Sequence, residues 1–144
     1  RAPGGRARED GRMRLTLRAD GAADLDLVWQ RYSVPELWTT WAPQIRRVEC
    51  SAERLAVGVT GTVFGVIPNI GASFEVVEYD EERHRWSWDV VAGPVRMHLD
   101  HRSEARIGGG TSTALEVEGP AAAVMTYSPV ARISLESLVR PPKK

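Results

Sequence analysis

A chain of 144 residues is close to the usual size of one domain and is long enough to bury a core. Lys+Arg and Asp+Glu are both 19, so the formal net charge is zero, and the strongly basic footprint of a nucleic-acid or anionic-membrane binder is excluded. Cys50 is the single cysteine, which excludes an internal disulfide and fits a reducing, cytoplasmic setting. No apolar run approaches the roughly 18 residues of a membrane helix.

The start, RAPGGRAREDGR, has arginines but no apolar segment behind them, so it does not read as a secretory signal. Residues 1–12 show no apolar period and read as a disordered leader. Met13–Arg18 alternates apolar and polar and reads as a strand. Asp24 is placed to cap a helix bearing Leu25, Val28, Trp29 and Tyr32 at helical spacing. Ser33 and Pro35 restart the chain as a second short helix through Trp38 and Trp41, which Pro43 stops. Strands follow at Ile45–Cys50, Gly61–Ile67 and Ser73–Tyr79. Pro68–Gly71 reads as a turn between the last two, and Asp80–Arg83 as the next.

His84–Ile107 reads as a hairpin turning at Ala92-Gly93. Alternation puts His84, Trp86, Trp88 and Val90 on one face with Val95, Met97, Leu99 and His101. Opposite charges set the expected register: Arg85 against Asp100 and Asp89 against Arg96, with Trp88 facing Met97, Trp86 facing Leu99 and His84 facing His101. Pro94 argues for a wider tip, because it cannot donate the bond that closes a two-residue loop there. Gly108-Gly109-Gly110 turns the chain into a last strand, Thr111–Glu118, with Arg102 facing Glu116 and His101 facing Val117. Ala121–Arg140 returns to helical spacing, with a kink or restart expected at Pro129. Residues 141–144 are a tail, and 13–140 form one domain.

One strand, two short helices, a meander of strands and a final helix make an α+β arrangement: a curved antiparallel sheet of about seven strands around a C-terminal helix. The segments Val28-Trp29, Leu37-Trp38-Thr39-Thr40-Trp41-Ala42-Pro43, Ile45–Val48, Gly58…Gly61, Arg85-Trp86-Ser87-Trp88 and the Gly119-Pro120 before the last helix resemble the START-like helix-grip superfamily (SRPBCC, polyketide cyclase/dehydrase-like). The resemblance covers roughly residues 13–140, and its motifs speak for the fold more than for a reaction. It departs from the family pattern in the last helix, shorter than usual and interrupted at Pro129. It implies an internal cavity for a lipid-like, polyketide-like or polycyclic molecule, with cyclisation or dehydration as the enzymatic variant. A non-catalytic carrier or a protein-interaction module is the alternative, in either case without a cofactor and as monomer or homodimer.

On that expectation His101 and Tyr127 are the candidate proton-moving groups. Trp38, Trp41, Phe64, Phe74, His84, Trp86, Trp88, Met97, Leu99 and Met125 are candidate ligand contacts. Three histidines without an HExxH motif or a cysteine pair give no basis for a metal site. Arg46 and Arg47 straddle a strand, so one of them is a candidate for a ligand anion, the plainer alternative being that both are surface groups. Glu75 and Glu78 have opposite parity, which calls for a bulge or a strand end nearby.

Overall fold

The computed structural model describes residues 6–7, 11–65 and 71–142. Its elements are β1 (Arg6–Ala7), β2 (Arg12–Gly21), α1 (Leu25–Ser33), a 3-10 turn (Pro35–Leu37), α2 (Trp38–Trp41), β3 (Arg47–Cys50), β4 (Thr60–Phe64), β5 (Gly71–Asp80), β6 (Arg85–Ala92), β7 (Val95–Ala105), β8 (Thr111–Pro120) and α3 (Ala121–Leu138). The strands form one antiparallel sheet in the order β1-β2-β8-β7-β6-β5-β4-β3. The helix-grip arrangement is present: α3 packs on β2 and β8, and α1 reaches β7. The expected turn at 68–71 falls on residues outside those described, save Gly71, which opens β5.

Alternation assigns the faces. Leu15 and Leu17, Leu115 and Val117, Leu99, Trp86, Trp88, Phe74 and Val76 are all buried against the helices, and their neighbours in sequence turn outward. β5 keeps both its glutamates outside through an irregularity between Val76 and Glu78, the bulge rather than the strand end of the two alternatives their parity left open. The outer face carries ion pairs such as Arg14–Glu116 and Arg85–Asp100. Arg46 and Arg47 are both exposed, so neither reaches the interior.

Both hairpins depart from the expected register by two residues. In the first, Ala92 pairs with Val95, so Gly93-Pro94 is the two-residue loop. There Gly93 takes φ 58, the left-handed region glycine enters without steric penalty. Pro94 then sits inside the turn, where no ladder donor is needed; the expected register would have placed it opposite Val91 with a hydrogen bond to give. As a result Trp88 faces Leu99, Trp86 faces His101, Asp89 faces His98 and Arg85 faces Arg102. The like-charge contact is offset diagonally, since Arg85 reaches Asp100 at 3.5 Å. The second loop spans Arg106–Gly110, closed by Arg106 N–H to the Gly110 carbonyl (3.0 Å), so His101 faces Leu115 rather than Val117. Arg102 accordingly faces Ala114 and not Glu116. Because each slip is two residues, no side chain changed face.

The restart expected at Pro129 does not occur: α3 runs unbroken over 18 residues. Proline removes one N–H, while Val124, Ala131, Leu135 and Leu138 hold both halves against the sheet. Its C-terminal end is tightly docked. Arg31 donates to the carbonyls of Leu138 and Arg140, and Ala23 N–H to that of Val139. A Cβ on Gly21 would lie 2.2 Å from the Val139 carbonyl oxygen, so only glycine admits this approach. Arg6 and Ala7 pair with Arg14 and Met13, and Arg12 already belongs to β2, where the sequence suggested only a leader. The rest of that leader, residues 1–5 and 8–10, lies outside the described residues. Among the described residues no helix is long and apolar enough to cross a membrane.

Candidate functional site

Between α3, α2 and the concave face of β6–β8 lies a cleft lined by Trp38 and Trp41 from α2, Trp86 and Trp88 from β6, His101 from β7 and Tyr127 from α3. These are the six candidate residues that the fold brings together. Tyr32 of α1 completes the ring, with its phenol edge-on to Trp41, Trp86 and His101 at 5.2–5.5 Å between centroids. Its helical spacing marked it only as core, and no sequence signal distinguished it. The indoles occupy most of the concavity, leaving a void of ≈ 40 Å³. That is room for little more than water, against several hundred Å³ in ligand-filled pockets.

The remaining candidates lie elsewhere. Phe74 and Leu99 are buried in the core, and Met97 is half-buried beside it, none of them at the cleft. Phe64 faces outward, beneath the Arg47 guanidinium, because Val63 takes the inner position in β4. Met125 is 58% exposed, since α3 buries Val124 and half-buries Tyr127 instead. His84 does not face His101: it ends the β5–β6 turn at φ 56 and packs edge-on against Trp29, 5.1 Å between centroids. The two histidines therefore share no site. His98 is on the outer face, bonded to Asp89 at 2.6 Å.

His101 is buried and stacked on Trp86, ring centroids 3.9 Å apart and planes within 3°. Its Nδ1 lies 3.2 Å from the Trp86 carbonyl oxygen, an acceptor only, so Nδ1 carries the hydrogen and Nε2 is left as an acceptor. Burial drives the imidazole pKa from 6.5 down to about 3, and the ring is neutral at ordinary pH. Burial likewise pushes the Tyr127 phenol up to about 12, and the Tyr32 phenol upward as well. Trp38 Nε1–H donates to the Tyr32 carbonyl and Trp41 Nε1–H to that of Arg31, 2.9 Å each. The indole N–H groups of Trp86 and Trp88 find no acceptor in the protein. At the edge of the cleft Ser134 Oγ donates to Gln44 Oε1 at 2.6 Å, fastening α3 to the segment after α2. Neither residue carried a signal in the sequence.

A wider hollow of ≈ 370 Å³ lies on the outer face over Ala114, between Arg18, Arg85 and Arg102. Arg83 lines it as well, and Asp20 and Glu104 offset only part of that positive charge. Among the described residues no cluster of three or more His, Cys, Asp or Glu is placed to hold a metal.

The crystal structure of Ara h 8.0201 matches at TM-score 0.69 and 13% identity, covering 90% of this chain and 98% of that one. At that identity the match speaks for the fold alone. No curated protein matches the chain. The model of the family described as "Polyketide cyclase / dehydrase and lipid transport" matches residues 12–140. The chain belongs to that family, within the START-like helix-grip superfamily.

Proposed function

We propose that the protein binds a flat, apolar small molecule in the aromatic cleft and holds it without acid–base chemistry. The observation that carries this reading is the ring of Trp38, Trp41, Trp86, Trp88, His101 and Tyr127 between α3 and the concave sheet. Such a lining favours planar rings through stacking and edge-to-face contact. A proton-transferring residue works best with a pKa near the operating pH. His101 near 3 and Tyr127 near 12 are both far from it, which favours the carrier reading over a cyclase or dehydratase. Because the void is only ≈ 40 Å³, α3 and the segment around Gln44 must part for a ring system to enter.

The test is a titration of indole fluorescence with a panel of bicyclic and tricyclic aromatics, with native mass spectrometry to count bound molecules. One ligand per chain is expected, and it should be lost in Ala131→Phe, which fills the cleft from the buried face of α3. Circular dichroism would verify that this variant is folded. Silence across the panel would remove the binding reading. Turnover of a bound molecule that disappears in His101→Asn would replace the carrier with an enzyme.

A further inference from the structure

Four indoles line the cleft, and they divide into two pairs. Those of α2, Trp38 and Trp41, give their N–H to backbone carbonyls of the α1 segment. Those of β6, Trp86 and Trp88, are buried with no acceptor for theirs. Ring positions do not supply one: Trp86 stacks on His101 at 3.9 Å and lies near-parallel to Trp38 at 6.2 Å, and Trp88 packs on Phe74 at 4.8 Å. The neighbouring strand carbonyls are engaged in the sheet ladder. An indole N–H can only donate, and a buried donor without a partner is costly. Trp29, away from the cleft, also lacks a well-formed bond, but its N–H has the Glu81 carboxylate beside it.

We infer that Trp86 and Trp88 are the specificity determinants of the cleft and select ligands bearing a neutral carbonyl oxygen. The inference rests on the binding reading above and narrows it to an oxygenated ring system. A carboxylate is disfavoured, because no charged side chain lines the cleft and an uncompensated anion there would be desolvated without a counter-charge. A plain hydrocarbon leaves both donors unpaired. His101 adds a second polar contact of the opposite kind, since its Nε2 accepts and suits a ligand hydroxyl.

The experiment compares indane, 1-indanone and indane-1-carboxylate, alike in skeleton, on the ¹⁵N-labelled full chain, following the indole N–H resonances and the affinity together. The ketone should bind about tenfold tighter than the hydrocarbon, the gain from one buried hydrogen bond. It should also move the Trp86 and Trp88 N–H resonances downfield while those of Trp38 and Trp41 stay put. The carboxylate should bind more weakly than the ketone. Equal affinity of indane and indanone, with the Trp86 and Trp88 resonances unmoved, would overturn the acceptor selection and leave the pocket standing. Binding of none of the three would bring down both.

Discussion

Two neighbouring patches on the inner face of the sheet bury polar groups in opposite ways. At one end Thr111, Ser103 and Thr113 form a closed set. Thr111 Oγ1 donates to the Ala23 carbonyl at 2.7 Å, Thr113 Oγ1 to the Arg102 carbonyl at 3.0 Å, and Ser103 lies 3.1 Å from Thr113. A few residues along the same strands, Trp86, Trp88 and His101 bury three donors and one acceptor with only the His101 Nδ1–H engaged by the protein. Folding stability accounts for the first patch, where every group is matched. It does not account for the second, where buried polar capacity is left for something else. The difference separates scaffold from binding surface more clearly than burial does, since both patches are equally dry.

That contrast can be broken from either side. Trp86→Ala should destabilise the fold most, by about 3–5 kcal/mol in chemical denaturation, because it empties the middle of the aromatic patch. Next in size is the pH response of His101. Its folded pKa near 3 lies below the ordinary 6.5, so the unfolded chain takes up the proton first. Stability should therefore be lost as pH falls from 6.5 towards 3, at up to about 1.4 kcal/mol per pH unit, and be unaffected by this group above 6.5. His101→Phe, which keeps a ring on Trp86, should flatten the curve between pH 6.5 and 5 in urea melts. If the variant tracks the parent, the buried neutral imidazole is not its source. Thr113→Val should cost about 1–2 kcal/mol by leaving the buried Ser103 hydroxyl without its partner, and leave ligand affinity unchanged. Smallest is Arg85→Gln on the outer face, within about 1 kcal/mol, because an exposed ion pair contributes little.

Much of this was legible in the sequence, and the errors have definite causes. Period-2 alternation placed Trp86, Trp88, Leu99 and His101 inside, and the Glu75/Glu78 parity conflict announced a bulge or a strand end in β5. Registers were read from charge pairs, each worth about 0.2–1 kcal/mol, and the turn chemistry of Gly93-Pro94 outweighed them. Phe64 and Met125 count as expected lining only because they are apolar, yet one inward Val63 and one helix face decide otherwise. His84 was counted as a strand residue one position too early. Tyr32, Gln44 and Ser134 were not found, because their roles arise only where α1, α2 and α3 converge. The narrowness of the cleft could not be foreseen either, since side-chain volumes are summed only once the elements are packed.

The partnering of β2 with β8 has a consequence for how the molecule forms. Leu15 pairs with Val117 and Leu17 with Leu115, so a strand near the start of the chain waits for one near its end. β8 also closes onto β7, and α3, which follows directly, lies across β2. On the ribosome β5, β6 and β7 can zip as a meander while the edge of β2 that takes β8 remains open. β8 and α3 then complete the sheet and cover it in one event. Such long-range closure slows folding and prolongs the exposure of apolar strands. Chains halted before β8 should therefore aggregate rather than accumulate as a stable part-fold.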